Sequence, residues 1–220
     1  MKRIGVIGAG RFGSELAESL VKGGAEVVLM DRDMKVVERM APVVAKAIQG
    51  DATDKDALIQ AGFQTCDAVV VAIGVNMEGS VIATLNLRDM NVSNIICKAV
   101  SDAHGRILEK IGATLVMHPN KERAQRLAKT LLSTSVLDYF EISENVSMVE
   151  MALPKEWAGR TIRRRHIRSR YSVLILAIKR RPGRDGRQEK IINPDPDTRL
   201  EEGDTIVVFG SNDRIRAITG

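Results

Sequence analysis

Short apolar runs punctuate the first half of the chain at Ile4–Ile7, Val27–Met30, Ala68–Ala72, Ile95–Ile96 and Leu115–Met117. They are continuous rather than alternating, as strands buried on both faces of a parallel sheet are. Between them the period lengthens. Phe12, Leu16 and Leu20 recur every four residues; Leu58, then Val81, Ile82 and Leu85, then Ile107, Leu108 and Ile111 mark further helical faces. Strands are therefore predicted at 3–7, 26–31, 44–49, 68–73, 94–99 and 114–117. Strands alternating with helices imply right-handed βαβ crossovers, hence an α/β fold built on a doubly wound parallel, Rossmann-like sheet.

Beyond His118-Pro119 the texture changes twice. The stretch NKERAQRLAKTLLSTSVLDYF places Ala124, Leu127, Ala128, Leu131 and Leu132 on one helical stripe, with Asn120 as the expected N-cap. Such a stripe needs cover, from its own sheet or from a second copy of the chain. From about residue 143, SMVEMAL, SVLILAIKR and DTIVVFGS read as strands, and RRPGRDGRQE reads as a Pro/Gly hairpin turn between Val173–Lys179 and Lys190–Ile192. A closing helix is expected over 212–218. The predicted organisation is a Rossmann-like domain over 1–120, a crossover helix and linker over 121–142, and a small α+β C-terminal domain over 143–220.

Composition adds limits. With 220 residues and 44% hydrophobic content the chain can build a real core, and no stretch reaches the ~18 apolar residues of a membrane span. MKRIGVIGAG reads as a strand running into glycines rather than a secretory leader, so a cytoplasmic location is expected. Cys66 and Cys97 have no metal-ligand spacing and are expected to be buried thiols. The net charge of +5 is unevenly spread: residues 1–142 hold 17 basic and 17 acidic side chains, residues 143–220 hold 16 and 11. Ten of the latter basic residues are arginines between Arg160 and Arg187. That cluster reads as a solvated basic face, or as a surface for anionic lipid or acidic protein segments. Aromatic residues make up only 3% of the chain, too few for single-strand stacking platforms, which weighs against nucleic acid as a partner.

Candidate chemistry begins at Gly8-Ala9-Gly10-Arg11-Phe12-Gly13, a G-x-G-x-x-G sequence lying directly after a predicted strand and opening a predicted helix. In that setting the first glycine makes the tight turn, the second lets backbone approach a phosphate, and the third allows helix-to-strand packing. Free N–H groups at the helix start favour a polyphosphate. Asp31, with Arg32 beside it, ends the second predicted strand 23 positions after Gly8, where an acid accepts ribose hydroxyls and disfavours a 2′-phosphate. Asp51-Ala52-Thr53 follows the third strand on the expected adenine side, and Ala72-Ile73-Gly74 follows the fourth, where small residues keep the crevice open. Hydride chemistry would also need a proton-transfer residue. The three histidines, His104, His118 and His166, pair with no acid in sequence, and no nucleophile triad or metal-ligand set is visible. The nucleotide reads as a signal rather than a reagent. A small NAD-dependent oxidoreductase and a redox-sensing nucleic-acid-binding protein are the rival classes.

VIGAGRFGSELAESL, VVLMDRD, GDATD, VVVAIG, LEKIGATLVMHPNKERA and DTRLEEGDTIVVFG together resemble the cytosolic regulatory subunits of Ktr/Trk-type potassium transporters, the regulator of K+ conductance family. The resemblance spans nearly the whole chain, and one copy of each lobe is similar to the Ktr type. It implies a non-enzymatic gating subunit, a homodimer assembling into an octameric ring beneath a membrane potassium-transporter subunit at the inner face of the cell membrane. It implies ATP/ADP or NAD(H) in the crevice, with Gly8, Gly10, Arg11, Phe12, Gly13, Asp31, Arg32, Asp51, Ala52, Thr53, Ala72, Ile73 and Gly74 around it, and Arg11 approaching a terminal phosphate across the dimer. It also implies cyclic di-AMP at Ile162, Arg168, Ile175 and Pro194 in the C-terminal lobe, although Arg163 and Leu174 depart from that pattern. The family's cation-holding His-Pro-Glu reads His118-Pro119-Asn120 here; Glu122 is the nearby carboxylate to stand in.

Overall fold

The computed structural model describes residues 1–133, 135–180 and 189–219. The chain divides into two compact units, Met1–Pro119 and Asn120–Gly220. In the first, β1 (Arg3–Ile7), α1 (Arg11–Lys22), β2 (Glu26–Asp31), α2 (Met34–Met40), β3 (Lys46–Gln49), α3 (Lys55–Ala61), β4 (Ala68–Val71), α4 (Met77–Asp89), β5 (Ile95–Lys98), α5 (Asp102–Ile111) and β6 (Leu115–Met117) alternate along the sequence. The six strands form one sheet of order β3-β2-β1-β4-β5-β6, parallel at each pairing. The order reverses between β1 and β4, the switch point at which doubly wound sheets open a crevice.

The continuous apolar runs explain why this sheet is buried on both sides. Successive residues of a strand point to opposite faces. Val6, Val27 and Leu29 enter a core with Ala17 and Met40, whereas Ile7, Val28 and Met30 enter one with Leu58, Phe63, Leu87, Ile95 and Leu108. Cys66 and Cys97 are buried thiols; Cys97 contacts the Thr84 hydroxyl at 3.3 Å, and burial raises its pKa.

His104 is fully buried near the start of α5. Its Nδ1 accepts the Val100 N–H at 3.3 Å, which requires that nitrogen to be unprotonated. Burial, and after it the charge of His118, hold its pKa below 6.5. The unfolded chain therefore takes up a proton as pH falls past 6.5 while the folded chain resists, so stability present above pH 6.5 is lost as pH falls toward the lower folded value. The melting temperature is expected to drop between pH 7 and 5, and His104→Asn to flatten that slope; an unchanged slope in the variant refutes the assignment.

The second unit holds α6 (Pro119–Leu131, of which Asn120 onward belongs here), β7 (Val136–Ser143), β8 (Val146–Ala152), α7 (Ile162–Arg165), α8 (Ile167–Tyr171), β9 (Val173–Lys179), β10 (Lys190–Ile192), β11 (Thr205–Ser211) and α9 (Asn212–Thr219). Its strands form an antiparallel sheet of order β10-β9-β11-β8-β7. β8 and β11 alternate buried and half-buried positions, and their inward residues meet Trp157, Ile167 and Leu200 in the core.

Three differences from the sequence reading have physical reasons. Asn120 does not cap α6, because the helix starts one residue earlier at Pro119; proline suits a first helical turn, where its missing N–H goes unused. Residues 136–142, expected in a linker, belong to β7: Val136 pairs with Met151 and Phe140 with Met148, partners reached only across a turn. The stretches 44–45 and 72–73, expected in strands, lie outside β3 and β4, where the chain leaves the ladder. The hairpin strands β9 and β10 pair antiparallel as expected, and the turn residues 181–188 between them lie outside the described residues. On α6, Leu127 and Leu131 of the apolar stripe are exposed, as is Leu132 just past it.

Candidate functional site: a cleft at the carboxyl edge of the parallel sheet

The ends of β1, β2, β3 and β4 converge on a cleft of about 250 Å³. Of the residues predicted from sequence, Gly8, Gly10, Asp31, Arg32, Asp51, Ala52, Thr53, Ala72, Ile73 and Gly74 line it together. Arg11, Phe12 and Gly13 stand in the first turn of α1 behind the loop, with Arg11 exposed and Gly13 buried.

Each motif glycine has its own reason. Gly8 sits at φ +89°, a left-handed conformation that a side chain strains. Its N–H donates to the Met30 carbonyl at 2.8 Å, tying the loop to β2. A methyl group on Gly13 would be driven into the Gly8 carbonyl oxygen. Gly10 is different: a Cβ there would meet nothing within 4 Å. Protein atoms leave that approach open, which is the condition for a phosphate to come up against backbone N–H groups at a helix start.

Asp31 braces the same loop. Its Oδ2 accepts the Ala9 N–H at 2.6 Å and its Oδ1 accepts the Asp33 N–H at 2.9 Å. Ser14 Oγ donates to the Ala9 carbonyl, and Arg39 donates to Ser14 Oγ. Across the cleft Arg32 donates to Asp51 at 2.6 Å. Partial desolvation pushes the Asp51 carboxyl up, but hydrogen bonds from Arg32 and Thr53 and the Arg32 charge outweigh it, lowering its pKa to about 2.

Several cleft features escaped the sequence reading. Asn76 and Gly79, where α4 begins, line the wall opposite the glycine loop, and Asn76 caps that helix by accepting the Gly79 N–H at 2.9 Å. Lys98 at the end of β5 places Nζ 5.5 Å from the Phe12 ring centroid, next to Gly74, where a Cβ would stand 3.2 Å from the ammonium. An Asn just ahead of a helical run was a usable cap signal; nothing local marked Lys98.

Of the four residues assigned to a cyclic dinucleotide, Ile162 and Ile175 pack on the core of the second unit. Arg168 is exposed on α8, and Pro194 is half-buried after β10. The arginine cluster is partly neutralised: Arg163 pairs with Asp197, and Arg180 with Glu189 and Glu201. Among the described residues no three His, Cys, Asp or Glu side chains form a metal-binding group, and no helix is long and apolar enough to cross a membrane.

A parallel sheet reversing its order beside a glycine turn defines the first unit as a Rossmann-like α/β domain, here followed by a separate antiparallel unit. The TrkA-N domain matches residues 4–119 and the TrkA-C domain residues 146–219, and the chain belongs to this TrkA-type, regulator of K+ conductance family. It is 38% identical to the Ktr system potassium uptake protein C of Bacillus subtilis, over 96% of this chain and 92% of that protein. A solved GsuK channel bound to NAD aligns with 99% of this chain at a TM-score of 0.54 and 25% identity; the chain spans 38% of it. GsuK bound to ADP aligns with 60% of this chain and 34% of its own, at a TM-score of 0.50 and 25% identity.

Proposed function

We propose that the chain is a cytosolic regulatory subunit of a Ktr/Trk-type potassium transporter, switched by adenine nucleotide, ATP/ADP or NAD(H), held in the cleft of the first unit. The reading rests on one observation above others: the open face of Gly10 and the Asp31 carboxylate share one cleft. The similarity to a potassium uptake protein over nearly the whole of both chains supports the same role. Met1–Pro119 form the sensing lobe, α6 leads out of it, and the sheet that begins with β7 at Val136 forms the C-terminal lobe. The partner is a membrane potassium-transporter subunit at the inner face of the membrane. The assembly is a homodimer built into an octameric ring, and the exposed Leu127, Leu131 and Leu132 suit an interface between copies.

ATP differs from ADP by charge that Arg11, exposed beside the loop, can meet. A ligand moves a conformational equilibrium only by such differential contact. Catalytic turnover is not part of the proposal: the titratable residues lining the cleft are Asp31, Arg32 and Asp51, and Asp51, at about 2, is far from the near-neutral range of a proton-transfer residue. Cyclic di-AMP at Ile162, Arg168, Ile175 and Pro194 is a second ligand of this reading, favoured by the exposure of Arg168.

Calorimetry with ATP, ADP, NADH and cyclic di-AMP, followed by potassium flux into vesicles carrying the transporter subunit, tests the proposal. ATP and ADP are expected to bind, with ATP giving the higher flux. Absence of adenine-nucleotide binding, or steady consumption of NADH with a carbonyl substrate, overturns it.

A further inference from the structure

On the reading that a nucleotide occupies the cleft of the first unit, we propose that Ser14 and Arg39 are positioning residues for its phosphate. Together they lock the Ala9–Gly10 peptide in the orientation that turns the Gly10 N–H toward the ligand. Neither side chain lines the cleft itself.

A trans peptide is planar, so its carbonyl and its N–H point in opposite directions. Whatever fixes the Ala9 carbonyl therefore aims the Gly10 N–H. Ser14 Oγ donates to that carbonyl at 2.7 Å, and Arg39 Nη2 is a second, longer donor at 3.4 Å. No described residue accepts the Gly10 N–H. It is held on the side away from Ser14, in a residue that lines the cleft. Asp31 accepts the Ala9 N–H at 2.6 Å, which fixes the peptide before Ala9 and leaves the one after it to Ser14 and Arg39.

The two side chains act in sequence. A guanidinium can only donate, and Arg39 Nη2 stands 3.1 Å from Ser14 Oγ. The serine oxygen accepts from Arg39, and its single proton is directed to the Ala9 carbonyl. Ser14 is itself seated by its backbone, whose N–H donates to the Gly10 carbonyl at 2.9 Å. Ser14 belongs to α1 and Arg39 to α2, so two helices converge on one peptide.

Glycine makes such a clamp necessary. Gly10 has φ −62°, but without a Cβ it reaches positive φ at little cost. A flip of the Ala9–Gly10 peptide would bring the carbonyl oxygen round to where the N–H stood. The loop would then meet a phosphate with a lone pair instead of a donor. A ligand without phosphate would not register the change.

Calorimetry of the full chain with ADP and with adenosine, beside melting curves, separates positioning from packing. Ser14→Ala is expected to weaken ADP about five- to tenfold, the size of one hydrogen bond, while adenosine affinity stays within about a factor of two. Ser14→Thr keeps the hydroxyl and is expected to restore ADP binding. Arg39→Ala is expected to weaken ADP about threefold, and Arg39→Lys less. The double variant should bind ADP no more weakly than Ser14→Ala alone, because the arginine acts through the serine.

If the wild-type chain binds neither ligand, the nucleotide reading fails and the clamp with it. If ADP binds but Ser14→Ala leaves its affinity unchanged, or weakens ADP and adenosine equally, only the clamp fails. Additive losses in the double variant refute the relay from Arg39. Should adenosine bind too weakly to titrate, rescue by Ser14→Thr and the double variant decide. Should Ser14→Ala not fold, Arg39→Ala against Arg39→Lys decides, and ADP affinity unchanged in Arg39→Ala overturns the proposal.

Discussion

Asp31→Ala is expected to abolish adenine-nucleotide binding, with affinity falling about a hundredfold or more, while the chain still melts cooperatively. Two effects combine. The carboxylate that would accept the ribose hydroxyls is gone, and hydrogen bonds to a charged acceptor contribute ~1.5–3 kcal/mol each. The same carboxylate also holds the Ala9 N–H at 2.6 Å and the Asp33 N–H at 2.9 Å, so the glycine loop loses its brace. The loop retains the Gly8 N–H to Met30 carbonyl bond and the Ser14 contact, and for that reason the fold should survive. Calorimetry with ATP and ADP, beside a melting curve, separates the two effects. Affinity within a factor of two of the parent chain removes Asp31 from the ribose position.

Alanine at two glycines of one loop is expected to have opposite consequences. Gly10 has φ −62° and ψ −172°, a conformation open to alanine, and its Cβ would touch nothing within 4 Å. Gly10→Ala should therefore fold with stability within ~0.5 kcal/mol of the parent. It should nevertheless lose about tenfold or more in nucleotide affinity, equivalent to ~1.4 kcal/mol, because the methyl stands where a phosphate must approach the backbone. In Gly13→Ala the added methyl collides with the Gly8 carbonyl oxygen and crowds Ala72. Neither is a flexible side chain end, so α1 must move off β1, costing about 3 kcal/mol or more. Denaturant melts read by circular dichroism and nucleotide titrations on both variants give the pattern. A Gly10→Ala chain with unchanged affinity denies the loop its phosphate, and a stable Gly13→Ala chain denies the close helix-to-strand contact.

How much of this was legible beforehand differs from element to element. The central strands β1, β2 and β4 are short apolar runs buried on both faces, so local composition identifies them, whereas the edge strands β3 and β6 expose Lys46, Gln49 and Leu115. Trimming at 44–45 and 72–73 was not visible, because a strand ends where its ladder partner leaves, and no residue reports that locally. β7 was missed for a related cause. DYF follows a strong helical stripe, and its strand state depends on pairing with β8 across Glu144-Asn145.

The candidate site divides along the same line. Gly8, Gly10, Gly13 and Asp31 were readable because a tight turn, an open backbone and an acid at a strand end each demand a particular residue at a particular spacing. Lys98 beside Gly74 and Phe12 was not, because that neighbourhood is assembled from the end of β5, the loop after β4 and the first turn of α1. Nor was the Arg32–Asp51 pair, 19 positions apart. By itself, the sequence determined the class of fold, the loop and the acid, since period and steric need act within a turn or a strand. Only the tertiary structure decided that Arg32 and Thr53 converge on one oxygen of Asp51, since hydrogen-bond saturation is a property of atoms brought together from different parts of the chain.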